Sequence, residues 1–262
     1  MIRAKALAIF WLVMWFGAAL LAKIPFSGNE ADLEFNLSQA LASPALTHPL
    51  GFDAFGRDLF QLSLHASATS ALFALVATLI ALTGGVLFGA SGSLLPHALK
   101  QLARKSLDFL LGFPSLLFAL GWAAIRGPGW STLIFALLLG ALPPVSRLLL
   151  LRCEELLQEE FVSAAQSVGA SRFRILHTHL LPFLLSLCRL KAPNLFAHAL
   201  IAEATLSFLG IGAPIGKDTW GSLLIQGKDY LLEAPHLVIG AGLPLLLTVL
   251  SLLIISEEQT HA

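Results

Sequence analysis

ASATSALFALVATLIALTGGVLFGASGSLLPHAL, residues Ala66–Leu99, decides the fold: it holds no Asp, Glu, Lys or Arg. A helix needs about 20 mostly apolar residues to cross a hydrocarbon core, and this run exceeds that length. Working outward, the uncharged runs Ala6–Ala22, Phe109–Ile125, Gly127–Ser146 and Ala234–Ser256 repeat the pattern, and Ala192–Gly216 does so around one acid, Glu203. The expectation is an all-α, polytopic membrane protein with about six transmembrane helices. Composition agrees, because charged residues make up 12% of the 262 where a soluble domain carries about 25%. The net charge of +0 gives no electrostatic case for nucleic acid.

The first run also has marks of a signal peptide, with Arg3 and Lys5 ahead of a short apolar stretch. No small-x-small site precedes a polar mature start there, so a retained span is the better reading. Either reading sends the next loop outward.

Orientation follows the Lys/Arg bias of cytoplasmic loops. With the N-terminus inside, the inner segments hold Arg3, Lys5, Lys100, Arg104, Lys105, Arg147, Arg152, Arg172, Arg174, Arg189 and Lys191. The outer ones hold only Lys23, Arg57, Arg126, Lys217 and Lys228. Both termini are therefore expected in the cytoplasm. Cys153 and Cys188 fall on the inner side, where a structural disulfide is not expected. Residues 1–65 read as the first span plus an outer loop, 66–256 as the transmembrane core, and 257–262 as a short tail.

Arg147–Lys191 is the one long charged inner stretch. Phe161, Ala164, Ala165 and Val168 recur at i, i+3, i+4 and i+7, an apolar stripe on a helix. Gly169 is suited to a left-handed helix end, and Ser171 to capping a second helix. Phe173, Leu176, His177 and Leu180 repeat the spacing, and Pro182 is expected to end it. Two short helices around a Gly-Ala-Ser corner result. Periodicity alone lays such a hairpin in the lipid headgroups, or inserts it as a knob into a partner's groove.

The residues themselves favour the groove. Ala164, Ala165, Gly169, Leu181 and Pro182 resemble the cytoplasmic signature loop of binding-protein-dependent ABC importer permeases. Ser163 stands where that family often has Glu, which removes any ionic contact the Glu makes. His48-Pro-Leu-Gly-Phe-Asp-Ala-Phe-Gly-Arg-Asp58, Asp108 with Phe113-Pro114, Glu203–Gly212 and Thr219-Trp-Gly-Ser222 are similar to the C-type permease of the dipeptide/oligopeptide/nickel branch. The matches keep the family order over about residues 48–250. The family commonly continues past its last span with Gly-Asp and Arg-Asp segments; Glu257–Ala262 carries neither, so contacts of that tail are expected to be missing.

The resemblance implies the type I ABC importer permease fold, with a coupling loop at 153–185, in the bacterial cytoplasmic (inner) membrane. It implies as partners two cytoplasmic ATPases (or a fused pair), a second homologous permease and an external binding protein. Peptides or a related small solute, nickel among them, are the implied cargo. Phe161, Val162, Ala164, Ala165, Gly169, Ala170, Ser171 and Phe173 are the ATPase-coupling candidates, with Phe161, Val162 and Phe173 as buried anchors. No Gly-x4-Gly-Lys-Ser/Thr phosphate loop occurs in the chain. It is therefore expected to be a non-catalytic translocation subunit, binding no cofactor itself, with ATP and Mg used by its partners.

Other residues have competing readings. Glu203 and Ser207 stack at i, i+4 in the fifth run; intramembrane acids are costly, and they suit a pathway, a partner-permease contact or a structural pairing. Asp108 is expected to form an interfacial ion pair near Arg104 and Lys105. His198 with Asn194, and His177 with His179, lack the donor number a metal site needs. Asp53, Arg57 and Asp58 suit either a binding-protein contact or a solvated turn. A secondary transporter acting without an ATPase is the alternative, but the paired, broken repeats of such proteins are not evident. A membrane enzyme would need a clustered nucleophile, base or metal set that no motif here supplies.

Overall fold

The computed structural model describes residues 2–23, 36–212 and 217–261. Parts of the outer loop, the end of the fifth apolar run and the last tail residue lie outside them. Among the described residues ten α-helices follow in order: α1 Ile2–Lys23, α2 Leu59–Leu94, α3 His97–Leu111, α4 Ser115–Arg126, α5 Trp130–Leu156, α6 Glu160–Ser167, α7 Arg172–Ile175, α8 Leu181–Phe208, α9 Trp220–Lys228 and α10 His236–His261. No strand longer than an isolated bridge occurs among the described residues.

Among the described residues four helical stretches are long and apolar enough to cross a membrane: Leu59–Gly92, Trp130–Leu156, Arg172–Phe208 and His236–Glu257. Helix α1 has a shorter apolar part, Ala4–Leu20. The expected third span, Phe109–Ile125, is instead a broken pair: α3 and α4 meet at 79° across Gly112–Pro114. Pro114 disfavours a helical residue before it and cannot donate to the preceding turn, so the helix stops and restarts there.

Two further boundaries differ from expectation. The stretch Asp58–Ser67, readable from sequence as a short outer helix leading into the second span, is continuous with that span. Asp58 caps α2 by accepting from the Phe60 and Gln61 N–H groups, and the helix runs on for 36 residues, about 54 Å at 1.5 Å per residue. Pro182 likewise does not end a helix. A π-turn over Leu176–Leu180 links α7 to α8, with Leu181 N–H bonded to Leu176 O, so one helical stretch runs from Arg172 to Phe208. The wider turn takes up the misfit of the proline ring, which then sits harmlessly in the first turn of α8.

Helix α2 packs chiefly on α5. Glycine makes that closeness attainable: a Cβ on Gly89 would sit 2.9 Å from backbone atoms of Leu149 and Leu150. Small residues at a helix crossing in lipid let the two backbones meet. The core has two parts. An outer cluster gathers Trp15, Leu59, Leu62, Leu133, Leu200 and Trp220. An inner cluster joins Val145, Leu149 and Cys153 of α5 to Val162 of α6, Ile175 of α7 and Leu184 of α8. Cys153 and Cys188 are buried there and form no disulfide with each other.

Candidate functional site

The chain leaves α5 at Leu157, turns, and enters α6 at Glu160. Helix α6 ends in a double hydrogen bond: Gly169 N–H to Gln166 O at 2.9 Å, and Ala170 N–H to Ala165 O at 3.0 Å. That pair defines a Schellman ending, which requires a left-handed residue at its centre. Gly169 supplies it with φ +84°. Ser171 then caps α7, its side chain accepting from the Arg174 N–H at 3.3 Å. The Gly-Ala-Ser corner expected from sequence is thus built bond by bond.

The corner has two apolar faces, and the expected stripe is the outer one. Phe161 is 38% exposed, Val168 86% and Phe173 70%. Ala164 is exposed and Ala165 partly so. Phe161 rests against Phe183 of α8, ring centroids 6.2 Å apart, and Phe173 stacks on His177. Val162 differs from expectation. It is 1% exposed and lies in the inner cluster with Ile175, so it holds α6 to its own chain and is unavailable as an anchor for a partner. Ala165 and Ala170 pack against the same cluster. Ser163 faces solvent.

Glu203 sits at the opposite end of α8. It is 0% exposed. Ser70 of α2 donates to its Oε2 at 2.9 Å, and Ser207 to its Oε1 at 2.7 Å. Ser70 Oγ in turn accepts the Trp220 N–H at 3.1 Å. Of the three readings open from sequence, the geometry matches the structural pairing: Glu203 and Ser207 pair inside the chain and tie α2, α8 and the start of α9 together. A carboxylate in a membrane interior needs such partners.

The outer motif is also internal rather than a solvated turn. Asp53 accepts from the Phe55 and Arg57 N–H groups, each at 2.8 Å, and from Arg57 Nε at 2.7 Å. Arg57 reaches Asp218 at 3.7 Å, and Asp58 takes His48 Nδ1 at 2.6 Å while it caps α2. Burial pushes the Asp218 carboxyl above its ordinary range, with Arg57 opposing. On the inner side, Asp108 pairs with Arg147 of α5, not with Arg104 or Lys105 as expected. Arg104 and Lys100 instead meet Glu154, an acid that sequence reasoning did not single out. The spacing Lys100, Arg104, Asp108 on one helix was the available signal. Among the described residues no group of three or more His, Cys, Asp or Glu is placed to hold a metal.

Apolar helices long enough to span, with an exposed apolar corner between two of them, define a polytopic membrane protein. Residues 81–257 match the family of binding-protein-dependent transport system inner membrane components, and the chain belongs to that family. It is 30% identical over its whole length to the dipeptide transport system permease protein DppC of Alkalihalophilus pseudofirmus, covering 86% of that protein. It is 31% identical over 97% of its length to the di/tripeptide permease DppC of Pseudomonas aeruginosa, covering 85% of it. The glutathione transport system permease GsiD of Pectobacterium atrosepticum is 28% identical over 89% of the chain and 77% of its own length.

Proposed function

We propose that this chain is the translocating subunit of an ATP-driven importer of short peptides, and that separate ATPases seat on the α6–α7 corner. The observation that carries the reading is the exposed apolar edge of that corner, Phe161, Val168 and Phe173, on a base locked into the spans by Val162 and Ile175. Aromatic side chains on a rigid base are what binding hot spots are made of. Arg172 and Arg174 beside them are exposed on the side that the positive-inside rule assigns to the cytoplasm.

In this reading both termini are cytoplasmic, a second homologous permease completes the pathway, and an external binding protein delivers cargo. ATP binding closes the ATPase pair and moves the corner. Because the corner shares one core with α5 and α8, those helices tilt with it and switch the pathway between its two openings. This is a ligand biasing a two-state equilibrium. Peptide cargo is inferred from the names of the relatives.

The test is uptake of a radiolabelled dipeptide by a strain lacking this chain, with and without the gene restored, alongside purification of the tagged subunit. Restored uptake and co-purifying ATPases support the reading. Uptake that persists when the ATPases are absent favours a secondary transporter.

A further inference from the structure

Helices α3 and α4 both contact α5, and their successive contacts follow α5 in reverse chain order, which fixes the register. Arg104 meets Glu154, and Asp108 meets Arg147. Ser115 lies 3.5 Å from where a Cβ on Gly140 would be. Trp122 stacks on Phe135 with ring centroids 4.3 Å apart. The break at Gly112–Pro114 therefore falls opposite Pro143 and Pro144, both inside α5. Each proline removes a backbone donor from the α5 ladder, so both neighbours are weakened at one level.

The contacts differ on the two sides of that level. Above it, α4 meets α5 through aromatic stacking and close packing. Below it, α3 carries ionic contacts: Asp108 to Arg147, and Arg104 and Lys100 to Glu154, the last at 3.7 Å. Leu107 is the one residue of α3 that is buried, while Leu99, Leu102 and Phe109 are exposed. Apolar packing thus grips α3 lightly. The same inner part of α5 carries Leu149, Cys153 and Leu156, which share a core with Val162 and Ile175 of the corner.

We infer that Asp108 and Glu154, with Arg147, Arg104 and Lys100, are positioning residues that harness α3 to the inner half of α5, so that movement of the α6–α7 corner reaches α4 through a hinge at Gly112–Pro114 and Pro143–Pro144. The inference rests on the importer reading above. A helix broken at 79° transmits little force along its own axis. Side-chain pairs across α3 and α5 replace that axial path. The Glu154 side chain is 12% exposed, and partly buried charge pairs are screened less than pairs in open water.

The test uses the complete complex purified with its ATPases, with Cys153→Ala and Cys188→Ala, and spin labels at exposed positions. One label pair is Leu102 with Leu151, on either side of the harness. The other is Leu102 with Leu117, across the hinge. Distances are read before and after trapping with Mg-ATP and vanadate. The expected result is an unchanged Leu102–Leu151 distance and a shifted Leu102–Leu117 distance. In the Asp108→Ala, Glu154→Ala double variant the first distance broadens and the second no longer responds. The exchange Asp108→Arg with Arg147→Asp, made with Glu154 intact, keeps an ion pair at that level and behaves like the parent, a control that separates loss of the ionic contact from a merely misfolded variant. A Leu102–Leu117 distance that trapping leaves fixed in the unmodified harness overturns the inference, as does a double variant that behaves like the parent. If no ATPase accompanies the parent complex, the importer reading fails as well. If the ATPases are present and α3 moves independently of α5, only the harness fails.

Discussion

Val162 and Phe173 separate the two faces of the corner, and their truncation should separate two losses. Val162 is 1% exposed and packs in the inner cluster with Ile175. Val162→Ala removes about 1.6 kcal/mol of transfer energy at about 0.8 kcal/mol per methylene, and the cavity left behind raises the cost to about 2–3 kcal/mol. Phe173 is 70% exposed, so Phe173→Ala should change the stability of the subunit by no more than about 0.5 kcal/mol. Its loss falls on binding: an aromatic anchor is worth about 2 kcal/mol or more, about a 30-fold drop in ATPase affinity. The assay pairs a thermal unfolding midpoint of the detergent-solubilised subunit with retention of ATPase on the tagged subunit at fixed concentration. Val162→Ala should lower the midpoint. Phe173→Ala should keep it and release ATPase. A Phe173→Ala subunit that holds its ATPases normally, or a Val162→Ala subunit with an unaltered midpoint, refutes the assignment of faces.

Gly169→Asp and Ala165→Asp should each abolish uptake while the subunit still inserts; a Cβ on Gly169 meets nothing within 4 Å, so that change strikes the docking face and the left-handed backbone rather than packing. Undiminished uptake with normal ATPase retention contradicts this. Glu203→Ala leaves the Ser70 and Ser207 hydroxyls without their acceptor, and should cost about 1–3 kcal/mol, whereas Glu203→Gln keeps an acceptor oxygen and should cost less. Thermal midpoints of the two variants check the order. For Asp218, burial raises the folded carboxyl pKa. The protonated form is the favoured one, so its contribution is present at low pH and lost as pH rises through the raised value. Asp218→Asn should accordingly raise the midpoint at pH 8 and have no effect below pH of about 4; a pH-independent difference counts against the shift.

Hydropathy located the apolar runs because it measures composition, and composition is what lipid selects. It missed the α3–α4 break because Gly112, Phe113 and Pro114 lie inside an uncharged run, where a bend leaves no mark on polarity. The start of α8 was hidden for a related reason. Pro182 reads as a stop in isolation, and only the π-turn before it shows how the helix carries through. The corner was legible in detail because Gly169 and Ser171 act locally, through one backbone angle and one cap. The direction of Val162 was not, because Val162 and Phe161 are adjacent and either can head an apolar stripe; the core contributed by α5 and α8 decides between them. Glu203 was visible as an oddity, but its partners Ser70 and Trp220 are remote in sequence.

Site-specific cross-linking in intact membranes tests the central claim most directly. Photoreactive residues placed at Phe161, Val168 and Phe173 should each join the subunit to an ATPase, and one placed at the exposed outer residue Leu46 should not. Adducts with lipid alone at the three corner positions, or equal ATPase adducts from Leu46, would contradict the account.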